Sequence, residues 1–351
     1  RGTERLVHDL GVTLAARGHE VTLITSHPGP TSRSIEEGLS VLRLRRPPPF
    51  PPLRWYEDHV DSAPVAMGAL LRGRFDVAHA FHPAYAWAAV RASRFGAPPV
   101  AFSFHGIPER GYLVQRRYRL EMMQRIVSEA AAVTVLSERA AEVFRRYLLR
   151  EPTILPGGVV GEAWKVDVKR REKPTLVCAA SLGDPRKRAD LLLSAFSALR
   201  ERDGEVSIRL VKTPDPFLSP LEHQLPPGAE FVEADATGRL AREYASAHAT
   251  VLPSVGEAFG LVALESLAAG TPVVAARGGA TAELISEGET GELFEAGNED
   301  DLAAALARAI ALGQTPGVEH ACRLAVEPFD WSRLFESHES LYDDVAKGAP
   351  R

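Results

Sequence analysis

Two glutamates stand with seven residues between them in Pro253-Ser254-Val255-Gly256-Glu257-Ala258-Phe259-Gly260-Leu261-Val262-Ala263-Leu264-Glu265. The stretch leaves an apolar, strand-like run and enters a helical pattern. A helix start offers unpaired backbone N–H groups and the positive end of the helix dipole, so the amides near Phe259, Gly260 and Leu261 suit a diphosphate or sugar oxygens. Gly260 lets a ligand approach the backbone. Glu257 precedes the helix and Glu265 lies about two turns in, so the pair can reach opposite ends of one bound molecule. A carboxylate only accepts hydrogen bonds, which suits adjacent sugar hydroxyls. Taken alone, the same pair also fits a capping acid and a solvated helix glutamate. His105, followed by Gly106, ends the apolar run Pro99 to Phe104. A histidine there can act as acid or base, or can be a turn residue bonded to backbone. His79 and His82 also follow a strand-like run, but two histidines without a third ligand do not make a metal set, and both read as structural.

The elements that must hold these groups alternate. Leu6 to Ala16 is helical in spacing and Glu20 to Thr25 strand-like; Val41 to Leu44 and Phe75 to Ala80 read as strands, Tyr85 to Phe95 as a helix, Pro99 to Phe104 as a buried strand. A helix from about Tyr112 to Glu129 leads to the strand Ala132 to Leu136, and Ser137 suits the N-cap of a helix running to Leu148. Residues Pro156 to Lys173 are rich in glycine and charge and read as a linker. Alternation then resumes: strand Thr175 to Ala180, a helix through Leu192 and Phe196, strand Val206 to Val211, strand Thr250 to Leu252, helix Leu261 to Ala269 and strand Pro272 to Ala275. Two doubly wound α/β domains with parallel sheets follow, with ligands at the carboxyl ends of the strands and an interdomain cleft. The five prolines between Pro47 and Pro52, set among Arg43, Arg45, Arg46 and Arg54, predict an exposed loop.

Composition sets the class. A chain of 351 residues with 45% hydrophobic and 25% charged residues can build two cores. A net charge of -5 argues against a nucleic-acid binder, which needs a domain-scale positive field. The two cysteines, Cys178 and Cys322, have neither metal nor redox spacing and point to a reducing, cytoplasmic compartment. No run reaches the roughly 18 apolar residues of a membrane-spanning helix.

The Glu257 to Glu265 stretch resembles the two-glutamate signature of the retaining glycosyltransferase family four, or glycosyl transferases group 1. Its members have the GT-B fold of two facing Rossmann-like domains. Gly2-Thr3-Glu4-Arg5 with Gly18-His19-Glu20-Val21 is similar to the family's amino-terminal helix and second strand. Phe104-His105-Gly106 resembles its strand-end histidine and Pro185-Arg186-Lys187 its donor-phosphate lysine region. Thr271-Pro272-Val273-Val274, Gly278-Gly279 and Gly288-Glu289-Thr290-Gly291 extend the match over nearly the whole chain. The resemblance implies residues 1–156 as an acceptor-side domain lacking its first strand, 157–173 as linker, 174–328 as nucleotide-sugar donor domain, and 329–351 as a helix packing back toward the first domain. It implies that Glu265 binds the nucleotide ribose, that Glu257 contacts the donor sugar, that Lys187 neutralises the diphosphate leaving group, and that His105 lies near the reacting sugar. Gly2 and Thr3, at the family's glycine-rich loop, and Phe259, Gly260, Leu261, Ser181 and Arg186 complete the implied donor site. No metal or other cofactor is implied, and no Asp-x-Asp pair is present to hold one.

Two departures bear on activity. Where relatives place a Gly-Arg pair, this chain has Ala180-Ser181; losing one charge-assisted contact costs about 1.5 to 3 kcal/mol unless Arg186 or Arg188 replaces it. Pro156-Gly157-Gly158-Val159 replaces the family's Pro-Asn-Gly-Val, a turn Gly157 can also make. The chain opens directly in a helical pattern, so a preceding strand is expected upstream. The expected partners are a nucleotide-diphosphate sugar and an unspecified acceptor: glycan, lipid or small molecule. Arg110, Arg116, Arg117 and Arg119, with Trp55 and Tyr56 beside Arg54, leave room for peripheral contact with the inner face of the membrane, against the plainer reading of a solvated basic helix face. Three functions fit: a retaining, metal-independent transferase; an epimerase or hydrolase of the same fold; and a catalytically silent nucleotide-sugar-binding module.

Overall fold

Short apolar runs between helical stretches become parallel strands, because a strand buried on both faces carries hydrophobic side chains without alternation. The computed structural model describes residues 2–46, 60–212, 224–234 and 237–348. The chain forms two compact units, one from residues up to Gly157 together with Trp331 onward, the other from Gly158–Asp330.

The first unit contains α1 (Gly2–Ala16), β1 (Thr22–His27), β2 (Ser32–Glu36), β3 (Leu39–Arg45), α2 (Ala63–Arg72), β4 (Ala78–Ala80), α3 (Pro83–Ser93), β5 (Val100–Phe104), α4 (Arg110–Val114), α5 (Arg117–Glu129), β6 (Ala132–Val135), α6 (Glu138–Leu148) and β7 (Thr153–Ile154). Its strands form two sheets among the described residues, β1-β3-β2 and the all-parallel β4-β5-β6-β7. In the first, β3 runs parallel to β1 and antiparallel to β2. Phe102, Met123, Ile126, Val135 and Phe144 centre the core around β5 and β6. The helix Trp331–Lys347 belongs to this unit: the Arg17 guanidinium stacks 3.2 Å over the Phe335 ring, and His79 Nδ1 is 2.8 Å from the Tyr342 hydroxyl.

Several elements differ from their sequence reading. The helix expected over Tyr112–Glu129 is two helices, α4 and α5, broken at Arg116, whose backbone is extended at φ -140° and ψ 123°. Arg119 ties the two together: it is buried, its guanidinium donates to Tyr112 O and Gln115 Oε1, both at 3.0 Å, and it lies 4.3 Å over the Tyr112 ring. Arg119 is therefore no part of a basic surface patch, whereas Arg117 is exposed beside Glu121. Arg43 and Arg45 lie in strand β3, not in a loop, and the Pro47–Tyr56 segment falls outside the described residues. The polar edge strand β2 had no apolar pattern to announce it.

The second unit contains α7 (Gly161–Trp164), β8 (Thr175–Cys178), α8 (Ala189–Asp203), β9 (Ser207–Val211), β10 (Ala229–Val232), α9 (Thr237–Ser246), β11 (Ala249–Leu252), α10 (Leu261–Ala268), β12 (Val273–Ala276), β13 (Gly291–Phe294), α11 (Glu299–Gly313) and α12 (Val318–Val326). Six parallel strands form one sheet in the order β10-β9-β8-β11-β12-β13. Strand order reverses between β8 and β11. At such a switch point the loops leaving the two strands diverge to opposite faces and open a crevice at their carboxyl ends, so the sheet itself pairs the segment after Cys178 with the segment after Leu252. Leu176, Phe196, Leu210, Phe294 and Leu306 fill the core.

The segment read as a linker is built into this unit. Trp164 is buried, Arg171 N donates to Ser246 O at 2.9 Å, and the Arg170 guanidinium donates to Ala247 O at 2.6 Å and Gly270 O at 2.8 Å. Glycine and charge there mark a strap that docks through hydrogen bonds, not a free tether. The strap is fastened where the chain leaves the unit: Val159 N donates to Phe329 O at 2.9 Å and Gly161 N to Asp330 Oδ2 at 3.0 Å.

Candidate functional site

The loop after β8 closes into a single 3-10 turn, Pro185–Lys187, with the Asp184 carboxylate accepting from Arg186 N at 2.9 Å. The loop after β11 runs from Pro253 to Gly260 and is tied to that turn by Val255 N donating to Arg186 O at 3.1 Å. Across this junction Lys187 Nζ forms a direct ion pair with Glu257 Oε1, each side chain keeping 23% of its surface exposed. Lys187 and Glu257, separated by 70 positions in sequence, thus meet at the switch point.

Gly260 stands at the N-cap of α10 with φ 103° and ψ 52°, a left-handed conformation that favours glycine, and no side chain caps the helix from there. The first-turn amides of Leu261 and Val262 precede any intrahelical acceptor and carry the dipole's positive end. The opposite end is neutralised: Arg170 donates to Gly270 O at 2.8 Å and Arg323 to Ala269 O at 3.4 Å. Glu257 pairs with Lys187 and does not behave as a simple capping acid. Glu265 is 7% exposed, so it is no solvated helix glutamate, and the Tyr244 hydroxyl lies 3.3 Å from its Oε2. Two hydroxyls in the segments flanking α10, Ser254 Oγ and Thr281 Oγ1, are buried with no partner. Such atoms cost free energy unless something bonds them.

The remaining sequence-assigned residues divide clearly. The Phe259 side chain is buried, 5.8 Å from the Phe329 ring, which leaves only its backbone amide for a ligand. Arg186 is held by Asp184, with Nη2 at 2.6 Å from Oδ2, and this contact keeps the Asp184 carboxyl below its usual range. Arg188, in a left-handed conformation at φ 48°, is paired to Asp190. Ser181 starts the turn, its carbonyl accepting from Asp184 N at 2.9 Å. Gly2 and Thr3 lie exposed in the first turn of α1, in the first unit.

His105 also belongs to the first unit, one residue past the end of β5. Its Nδ1 is buried without a partner, its ring is 5.1 Å from Phe81, and burial, with His338 as the lesser cause, lowers its pKa to about 4. His79 is structural: Nε2 is 2.7 Å from Ser103 Oγ, and Nδ1 bonds the Tyr342 hydroxyl. Burial, then His338 and His105, hold His79 well below the usual histidine value. His82 caps α3, its Nδ1 accepting from Ala84 N at 3.3 Å. Among the described residues no group of three or more His, Cys, Asp or Glu side chains converges as if to hold a metal ion.

The three histidines give a pH prediction. His338, too, is lowered by burial. Each has a folded pKa below its unfolded value near 6.5, so the unfolded chain binds more protons as pH falls. The stability they contribute is complete above about pH 6.5 and lost as pH drops toward the His105 value of about 4. The melting midpoint should therefore fall steadily between pH 6.5 and 4.5, before carboxylates with lowered pKa titrate. A flat profile would mean that the three imidazoles take up protons as readily in the fold as in the unfolded chain.

Sequence reasoning missed Tyr244, Trp164 and Thr281. None lies in a recognisable motif, and each is defined by what packs on it.

A model described as Glycosyltransferase Family 4 matches residues 1–160, and one described as glycosyl transferases group 1 matches residues 173–311. A D-inositol 3-phosphate glycosyltransferase from Actinosynnema mirum is 38% identical, the match spanning 45% of this chain and 41% of that relative. A phosphatidyl-myo-inositol mannosyltransferase from Propionibacterium freudenreichii subsp. shermanii is 26% identical, covering 97% of this chain and 91% of its own length. Among solved structures, sucrose-phosphate synthase from Thermosynechococcus elongatus aligns with a TM-score of 0.80 at 21% identity, over 98% of this chain and 94% of that one. Anabaena HepE in complex with UDP-glucose aligns with a TM-score of 0.76 at 18% identity, over 97% and 96%. These structures carry the GT-B fold that the sequence implied, with its two Rossmann-like domains. With one family description matched on each side of the strap, the chain belongs to the glycosyltransferases of family four, the glycosyl transferases group 1.

Proposed function

We propose that this protein transfers a sugar from a nucleotide-diphosphate donor to an acceptor hydroxyl with retention at the anomeric carbon and without a metal ion. The observation that carries the proposal is the Lys187–Glu257 pair set beside the uncapped start of α10, with Glu265 buried a little over one turn further in. In this reading the nucleotide ribose meets Glu265, the diphosphate lies against the α10 amides and Lys187, and the donor sugar's hydroxyls meet Glu257. The Lys187 ammonium neutralises charge as it develops on the leaving diphosphate, which is electrostatic stabilisation from a fixed position. The leaving phosphate helps deprotonate the acceptor on the same face. His105 acts as a neutral imidazole toward the reacting sugar, in keeping with its lowered pKa.

Relatives support the donor class: HepE was solved with UDP-glucose, and a mannosyltransferase covers nearly the whole chain. The acceptor is a hydroxyl compound taken by the first unit, in a cytoplasmic protein that contacts a membrane at most peripherally. No helix among the described residues is long and apolar enough to cross one.

The test is a thermal-shift screen of UDP, GDP and ADP with their common sugar conjugates. One nucleotide family should raise the melting midpoint, because a ligand bound only by the native state stabilises it. The shift should vanish in Glu265→Ala. Stabilisation without sugar transfer to any acceptor would favour the silent module; no stabilisation by any nucleotide would end the donor-site reading.

A further inference from the structure

The buried carboxylate of Glu265 needs something to aim it. A carboxylate removed from water is costly unless donors surround it, and its rotamer must be set before a ribose arrives if binding energy is not to be spent on ordering it. Tyr244, on α9, is fully buried and points its hydroxyl at Glu265 Oε2 from 3.3 Å. Tyr244 is itself fixed on two sides. Thr271 Oγ1 donates to its backbone carbonyl at 2.8 Å, and the Trp164 ring, on the strap helix α7, lies 5.9 Å from its ring at 42°. Next to Glu265, α10 is stitched down through Ser266, whose hydroxyl donates to Thr271 O at 2.9 Å and lies 2.6 Å from the Thr250 hydroxyl. Helix, tyrosine and strap therefore form one rigid support under the carboxylate.

We infer that Tyr244 is a positioning residue for Glu265: its hydroxyl presets the carboxylate that receives the nucleotide ribose, and Trp164 holds the Tyr244 ring in place. The inference rests on the donor reading above. A phenylalanine would fill the same volume, so the buried hydroxyl needs a use beyond packing, and a carboxylate oxygen within reach supplies one. At 3.3 Å the contact is longer than an ordinary O–H···O bond, so it steers the carboxylate more than it binds it, and the effect of losing it is moderate.

The experiment measures dissociation constants by calorimetry for whichever of UDP, GDP and ADP stabilises the protein, and for its 2′,3′-dideoxy form. Tyr244→Phe should weaken ribonucleotide binding about three- to tenfold, from the modest net value of one hydrogen bond, while changing dideoxynucleotide binding less than about twofold. In a Glu265→Ala background the same substitution should change neither. Trp164→Phe, which keeps an aromatic wall, should shift ribonucleotide affinity the same way by a smaller factor and covers the case in which Tyr244→Phe does not fold. Equal losses on both nucleotides would make Tyr244 a packing residue and overturn the inference. Unchanged ribonucleotide binding in Tyr244→Phe would overturn it while leaving the donor reading standing. Unchanged ribonucleotide binding in Glu265→Ala, or no stabilising nucleotide, would instead remove the donor reading on which it rests.

Discussion

Replacing Lys187 by alanine should lower the turnover number for sugar transfer by about a hundred- to a thousandfold, the range seen when one preorganised charge-stabilising group is removed. Stability changes little, because a partly exposed ion pair contributes at most about 1 kcal/mol and both side chains keep 23% of their surface in solvent. The rate effect is large because other cations of the turn are engaged. Arg186 is bound by Asp184 and Arg188 by Asp190, while Ser181 replaces the arginine expected there. Glu257→Gln tests the partner: it removes the ion pair and keeps the shape, so transfer falls while the nucleotide alone still binds. Initial rates at saturating donor decide the matter. More than about a tenth of wild-type turnover in Lys187→Ala, only about 1.4 kcal/mol of lost stabilisation, would move the charge-neutralising role to another residue.

Gly260→Ala damages fold and site together. At φ 103° a side chain is strained in any case, and a Cβ there would stand 2.6 Å from Thr281 Oγ1 and 2.9 Å from Thr281 Cγ2. Left-handed strain costs about 1 to 2 kcal/mol and overpacking about 1 to 3. The second unit should lose about 2 to 5 kcal/mol, a drop of about 5 to 15 °C in melting midpoint for a unit of this size. The site suffers because relief requires the start of α10 to move, carrying the Leu261 and Val262 amides with it, and nucleotide affinity should fall tenfold or more. Thr281→Ala in the same chain removes the collision and leaves the backbone strain, so it restores part of the midpoint and not all. Full recovery would assign the whole effect to the collision; none would assign it to the backbone.

What could be read in advance followed from local physics. Buried parallel strands such as Val100–Phe104, apolar but for Ser103, and Val273–Ala276 announce themselves, and Ser137 caps α6 through Ala140 N at 3.2 Å. The two glutamates stood out because their segment combines a strand end, a glycine and a helix start. What stayed hidden depends on partners distant in sequence. Tyr244 reaches Glu265 across 21 positions, and Lys187 reaches Glu257 across 70. The break at Arg116 and the acceptors of Arg119 across it are not encoded in any periodicity. Composition marked the strap as a linker but not where it docks, because glycine and arginine signal exposure only when their hydrogen-bonding groups face water. Arg170 instead saturates the carbonyls at two chain turns.

The fastening of Val159 to Phe329 and of Gly161 to Asp330 makes the second unit an insert whose two ends are zipped together. A piece cut at Gly157 and Trp331 would carry both of these fastenings with it. The strap, Tyr244 and the helix it braces travel together. Recombination among relatives at these two points would move Lys187, Glu257 and Glu265 as one piece, whereas a crossover within residues 158–173 would part Trp164 or Arg170 from the groups they hold.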